Sequence, residues 1–341
     1  MSNKGVLVLL LLLSLALSGC GKQRSNNSTL RSNEEIDFPE IYTEFNESYN
    51  GEVKKMDGFE GQTYYSYGLW GENSQYMHDT TIYLENNTLH TFLVFTNNMG
   101  KQFNCTLVIF DNYKQIDFEV DGKLMRQCTV SVENGTDIDI PITLSSLEEG
   151  KHDLVFAVFL NTYTELTDEE RLGIGPSDGA LRCLAVVGNK EEFPDAFNYL
   201  GVDRIEARTN GIVINKFNGN ENFIEVGNLD EETESCAIIF MDNFEQINLL
   251  NTQSYPYDLV NLEPGKEIMI PVEEYMKNVS KDNKAHEIIA ICIRKAGIEG
   301  DTFKGKVFFT YRLLLSLVGN IVFISLLKIE KKEYNRLSSK N

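Results

Sequence analysis

Short apolar segments rich in Val, Ile, Phe and Tyr, each closed by turn residues, recur along most of this 341-residue chain. Ile82-Tyr83-Leu84 runs into Glu-Asn-Asn and Phe92–Phe95 into Thr-Asn-Asn-Met-Gly. Leu107–Phe110 ends at Asp-Asn and Leu154–Leu160 at Asn-Thr. Segments of this length and spacing predict β-strands. Gly135-Thr-Asp-Ile-Asp-Ile-Pro-Ile142 alternates as a half-buried strand does. Pro141 and its copy Pro271 should sit at a sheet edge or a strand end, because proline donates no ladder hydrogen bond.

The pattern occurs twice. Cys105-Thr-Leu-Val-Ile-Phe-Asp-Asn-Tyr-Lys-Gln-Ile matches Cys236-Ala-Ile-Ile-Phe-Met-Asp-Asn-Phe-Glu-Gln-Ile. Gly135–Ile142 matches Gly265–Val272, His152-Asp-Leu-Val matches His286-Glu-Ile-Ile, and Leu184–Asn189 matches Leu315–Asn320. Phe92 and Asn97 pair with Phe223 and Asn228. Collinear matches of this kind mark an internal duplication. Each unit, with about seven short strands, resembles an immunoglobulin-like β-sandwich in size and rhythm, although the Cys…Trp…Cys pattern is missing. The expected fold class is all-β, with two tandem duplicated immunoglobulin-like β-sandwiches. The expected boundaries are 37–190 for the first sandwich with an N-terminal aromatic extension, 191–209 for a linker, 210–320 for the second sandwich and 321–341 for a basic tail. Within each unit, Val108 and Ile239, and likewise Ile138 and Ile268, are expected to point into their own sandwich.

Ahead of the repeats, Lys4 precedes an uncharged apolar run, Val6–Leu17, which is too short to span a bilayer and reads as a secretory signal. Leu17-Ser18-Gly19-Cys20 closes it and resembles the lipobox of bacterial lipoproteins. That resemblance implies a signal peptide over 1–19, cleavage before Cys20, lipid (palmitate among it) on Cys20, and a chain held outside the cell on the cell membrane. Residues 20–36, polar and rich in Ser and Asn, read as a flexible tether.

At the other end, Val307–Leu327 is mostly apolar and is followed by Lys328, Lys331, Lys332 and Arg336. Alone it reads as a possible transmembrane helix, 307–327, with a positive inner tail. Against this stand Arg312 and Asn320 inside the run, and the match of Leu315–Asn320 to the last strand of the first unit. Either the run spans the membrane or it completes the second sandwich.

Composition narrows the function. Loss of 1–19 removes Lys4 alone among charged residues and leaves a net charge of −21. Such a surface repels phosphate backbones, so nucleic acid is excluded as a partner. Cys105, Cys128, Cys183, Cys236 and Cys292 cannot all pair within one chain. Most adjoin apolar runs and read as buried thiols. No zinc or redox cysteine spacing occurs, and no P-loop, Gly-x-Ser-x-Gly, His-Glu-x-x-His or dinucleotide fingerprint is present. No cofactor, metal or catalytic residue is therefore assigned.

Three features repeat or cluster without declaring chemistry. Asp111–Ile116 and Asp242–Ile247 read as turns leaving an apolar strand. His152 and His286 read as histidines at the start of a strand, and Asp230–Glu234 as a solvated acidic loop. The densest aromatic patch, Tyr64, Tyr65, Tyr67, Trp70 and Tyr76, contains the sole tryptophan. It is the candidate binding surface, or else a strand packed on its own core. The resulting expectation is a lipid-anchored, extracytoplasmic binding or scaffolding protein of the bacterial envelope, with an envelope protein or glycan as partner and no catalysis of its own. The alternative is an envelope hydrolase, or an accessory subunit of a membrane complex, using carboxylates between the two sandwiches.

Overall fold

In a computed structural model of the chain, the structure describes residues 49, 51, 53–55, 63–162, 178–190, 192–193, 205–207, 211–217, 221–248, 257–272, 275, 286–297, 308–318 and 321–327. Cys20, the signal peptide and the tether lie outside these residues. The chain divides into two units, 1–37 and 38–341. All the named elements, which fall within the second unit, are β-strands.

Four sheets are formed. The outer sheet of the first repeat holds β1 (Val53–Lys55), β2 (Tyr64–Gly71), β4 (Leu89–Asn98), β7 (Phe118–Val120), β8 (Lys123–Met125) and β10 (Thr136–Leu144), in the order β2-β4-β10-β7-β8 with β1 also on β10. Its inner sheet holds β3 (Thr81–Leu84), β5 (Phe103–Asp111), β6 (Lys114–Gln115), β9 (Gln127–Val132), β11 (Gly150–Leu160) and β12 (Gly179–Val187), in the order β3-β12-β11-β5-β6 with β9 on β5. In the second repeat the inner sheet holds β16 (Glu234–Asp242), β17 (Glu245–Ile247), β18 (Tyr257–Leu262), β20 (His286–Arg294), β21 (Phe308–Val318) and β22 (Ile321–Leu327). Their order is β17-β16-β20-β21-β22, with β18 on β16. The outer sheet is β13 (Ile205–Glu206), β19 (Lys266–Pro271), β15 (Glu221–Asn228) and β14 (Gly211–Phe217), in the order β13-β19-β15-β14.

The duplication extends to single hydrogen bonds. Asn97 Nδ2 donates to Lys101 O and Val132 O, both at 2.8 Å, and Asn97 Oδ1 accepts from the Met99 amide. Asn228 does the same with Glu232 O at 2.7 Å, Leu262 O at 2.9 Å and the Asp230 amide. Phe92 lies opposite Pro141, as Phe223 lies opposite Pro271. Pro271 ends its strand as expected. Pro141 sits instead within β10, in the stretch whose second side faces neither β1 nor β7.

Three cores result, and this corrects one expectation. Ile138 and Ile268 do point into their own sandwiches. Val108 and Ile239 do not: both enter a third core formed between the two inner sheets, with Phe110, Tyr113, Phe159, Met241 and Phe244 among their neighbours. Along β5, Leu107 and Ile109 face the first sandwich while Val108 and Phe110 face the seam. Both faces of β5, β11, β16 and β20 are thus buried, which is why these strands read as unbroken apolar runs. The five cysteines from Cys105 onward are buried free thiols.

The reading of 307–327 as a transmembrane helix gives way as well. Of these, Phe308–Val318 form β21, paired with β20, and Ile321–Leu327 form β22, paired with β21. No helix among the described residues is long and apolar enough to cross a membrane. The basic tail therefore begins with strand residues, and Ile205-Glu206 of the linker pairs with β19. Register places Arg312 opposite Ile289, as Arg182 stands opposite Val155, and sets Leu315 opposite His286 as Ala185 stands opposite His152, one residue from the sequence match of Leu315 with Leu184.

Candidate binding surface

The space between the sandwiches was one candidate location for chemistry. It is closed by the repeated Asp-Asn-aromatic-x-Gln motif. Asn112-Tyr113 and Asn243-Phe244 are two-residue hairpin loops in which all four residues have positive φ, between 47° and 69°. That is the turn geometry that suits strand twist, and Asn tolerates it. A bulky aromatic does not adopt it readily. Here each ring is fully buried in the seam, which offsets the strain.

The two loops then lock reciprocally. The Gln115 amide donates to Gln246 Oε1 at 2.6 Å and the Gln246 amide to Gln115 Oε1 at 2.7 Å. Gln115 Nε2 donates to Phe244 O and Gln246 Nε2 to Tyr113 O, both at 2.9 Å. Beside this pair, Arg182 grips Asp153 with Nε and Nη2 and reaches across the seam to Arg294 O at 2.8 Å and Lys295 O at 3.1 Å. Tyr113 donates to Asp153 Oδ2 at 2.6 Å and accepts from the Gly297 amide. Burial first, then the Asp153 charge, push the Tyr113 phenol far above its usual value, so it stays a neutral donor. The Asp153 carboxylate is thus committed to a buried pair, and the seam is packed by apolar side chains. Each histidine bonds the acid that begins its repeat's hairpin: His152 Nδ1 to Asp111 at 2.8 Å, and His286 Nδ1 to Asp242 at 2.7 Å.

The aromatic patch divides along its strand. β2 is an edge strand, and its residues alternate between core and solvent. Tyr65 and Tyr67 pack inward against the first core, and Tyr67 stacks on Phe95 at 6.1 Å and 10°. Burial, followed by the charges of Tyr65, Asp178 and Tyr76, raises the Tyr67 phenol well above its ordinary range. Tyr64 lies six residues from Trp70 on the outward set. Trp70 is 37% exposed and Tyr76 44%.

Trp70 and Tyr76 are brought together by a loop, Gly71–Gln75. The Gly71 amide donates to Gln75 O, and the Met77 amide to Leu69 O, which returns Tyr76 to bridge Trp70. The buried Met77 anchors the loop below. The two rings meet edge-on at 5.2 Å and 61°, and Tyr76 meets His78 at 6.1 Å and 80°. His78 Nδ1 accepts the Arg182 amide at 3.0 Å, which leaves Nε2, 3.4 Å from Asp79, as the proton-bearing nitrogen of the neutral ring. Partial burial and then the Asp79 charge raise the Tyr76 phenol.

Register adds two residues that sequence reading missed. Phe92, 36% exposed, stands opposite Trp70 on β4, and Pro141 stands opposite Phe92 on β10. Tyr76, Trp70, Phe92 and Pro141 therefore make one row across four adjacent chain segments of the outer sheet. The match of Phe92 to Phe223 was the available signal, but alignment across strands is not visible in a single sequence. Among the described residues no group of three or more His, Cys, Asp or Glu is arranged to hold a metal ion.

No family model matches the chain, and no curated protein matches it. Among solved structures, the chain is similar to the CARDB domain of the PF1109 protein of Pyrococcus furiosus, described in complex with di-metal ions. The identity is 13%, the TM-score 0.23, and the match covers 37% of this chain and 96% of that one. It is also similar to the Salmonella enterica SafA pilin in complex with the SafB chaperone (10% identity, TM-score 0.24, 74% and 98% covered). Red sea bream transglutaminase matches at 7% identity and a TM-score of 0.22, over 73% of this chain and 30% of that one. Likenesses at this level attach no functional label; the two sandwiches rest on the strand order and cores described above.

Proposed function

We propose that this is a lipid-anchored, extracytoplasmic binding or scaffolding protein of the bacterial cell envelope, held by Cys20 and presenting the Tyr76–Trp70–Phe92–Pro141 row to a partner. The observation that carries the reading is that row. Of the six exposed large hydrophobic side chains among the described residues, three (Trp70, Tyr76 and Phe92) sit side by side on one outer sheet. A contiguous exposed aromatic cluster on an otherwise charged surface costs solubility unless something covers it. The sealed seam supports the same reading, because it joins the two repeats into a block on which the outer sheet is a firm platform. No catalytic step is assigned to the protein.

A photo-crosslinking residue placed at Tyr76 in intact cells tests the surface. A discrete adduct, lost when Trp70 is also changed to Ala, is the expected result; no adduct above that of a probe at exposed Leu229 overturns it. The anchor is tested separately. Cys20→Ala should abolish palmitate labelling and leave an unprocessed or released chain, and equal labelling of both forms would refute it. The diacylglycerol expected with the amide-linked chain makes the attachment stable, since one acyl chain binds only marginally.

A further inference from the structure

From the charges around the aromatic row, we infer that its occupant is an extended, Lys- or Arg-bearing segment of a protein partner. This rests on the binding reading above and names the chemistry of what is bound. Three observations converge on it.

The first is the angle between the rings. Trp70 and Tyr76 stand at 61° and Tyr76 and His78 at 80°, so they form corners and not a plane. A pyranose stacks flat on one open ring face, whereas a cation gains from a corner in which two π-faces converge on it.

The second is the charge on the face itself. Residues that share the outward side with Trp70 and Phe92 include Asp139, two positions from Pro141 along β10, and Asp137, two further. Glu119 pairs with Thr143, two positions from Pro141 in the other direction, and Glu72 is exposed in the loop beside Trp70. Lys54, on β1, is the described lysine on this side. An anionic ligand would meet repulsion from all four acids, and a cationic one attraction, on a chain whose net charge is already −20.

The third is that the face already seats an ammonium. Lys54 Nζ forms an ion pair with Asp139, with the lysine side chain 56% exposed and the aspartate 33%. The chain thus supplies its own example of the contact. Asp139 lies two residues along β10 from Pro141, and Trp70 lies two strands across from Pro141, so acid and tryptophan stand about 12 Å apart, close to the separation of side chains four positions apart in an extended peptide. One basic side chain can stack on Trp70 and Tyr76 while another, four positions on, displaces Lys54 from Asp139.

Trp70 is the single tryptophan, so its emission reports from this surface alone. Titrating the full chain with deca-lysine should shift that emission saturably and in a salt-dependent manner. Tyr76→Ala and Asp139→Asn should each weaken the apparent affinity about tenfold, the scale of one lost cation contact. Lys54→Ala should tighten it about threefold by removing the built-in competitor. Binding seen by peptide anisotropy without any change in Trp70 emission would overturn the inference as diffuse attraction to an acidic protein. A saturable Trp70 response to chitohexaose with none to deca-lysine would overturn it in favour of a neutral glycan. A cross-linked partner at Tyr76 together with a silent deca-lysine titration leaves the binding surface standing and sinks the cationic ligand; absence of both removes the surface as well.

Discussion

The outer sheets of the two repeats began alike. Phe92 opposite Pro141 in the first is Phe223 opposite Pro271 in the second. The position across from that Phe holds Trp70 in one and Asn215 in the other, and Asp139 corresponds to Met269. Val94 and Asp137 are half-buried, while their counterparts Glu225 and Glu267 are 4% and 0% exposed. The inner sheets, by contrast, kept the same turn, the same reciprocal Gln bonds and the same His–Asp pair. The copies stay alike where they touch and diverge on the outer sheets.

Breaking the seam should therefore cost far more than altering the outer face. Arg182→Ala strands the buried Asp153 carboxylate and removes two bonds across the seam. Loss of one partner of such a pair destabilises by about 3–5 kcal/mol, which chemical denaturation would measure. Next in size, Gln115→Ala and Gln246→Ala should each cost about 1–3 kcal/mol. The double variant should cost less than their sum, because each side chain bonds the other's backbone and loop. Additive losses would show that the two loops do not act as one lock.

A smaller effect concerns pH. Burial pulls the His152 ring down, but the hydrogen bond and charge of Asp111, aided by Glu148 O, raise it overall above 6.5. A group raised on folding adds stability that is full below its unfolded value and is lost as pH rises through the folded one. Urea midpoints should fall on going from pH 6 toward pH 8, and His152→Gln should flatten that decline; an unchanged slope would contradict the assignment. Smallest of all, Trp70→Ala should cost about 1 kcal/mol, the scale of its edge-on pair with Tyr76. A loss comparable to that of Arg182→Ala would make Trp70 a structural residue and erase the contrast between seam and outer face.

Much of this could be read from the residues alone. The duplication, the strand rhythm and the inward cores at Ile138 and Ile268 follow from spacing and alternation. The seam did not, since Cys105–Phe110 and Cys236–Met241 are apolar on both sides of the pleat. Sequence shows that both faces are buried, but not that one of them is buried by the other repeat. The patch was half legible: alternation along Tyr64–Trp70 separates Tyr65 and Tyr67 from Trp70, while Phe92 and Pro141 join only through register. The C-terminal run was ambiguous because an apolar strand pair and a spanning helix share a composition, and the pairing of β21 with β20 and β22 told them apart.

The reciprocal Gln115–Gln246 lock has a consequence for the chain's history and handling. An interface in which each side offers the other the same groups has the logic of a twofold homodimer. Joining both halves in one chain raises their local concentration to the millimolar range without any new contact. Either repeat produced alone would carry a self-matching apolar face. Two full chains forced to refold together could trade partners through it, giving intertwined pairs in place of closed monomers.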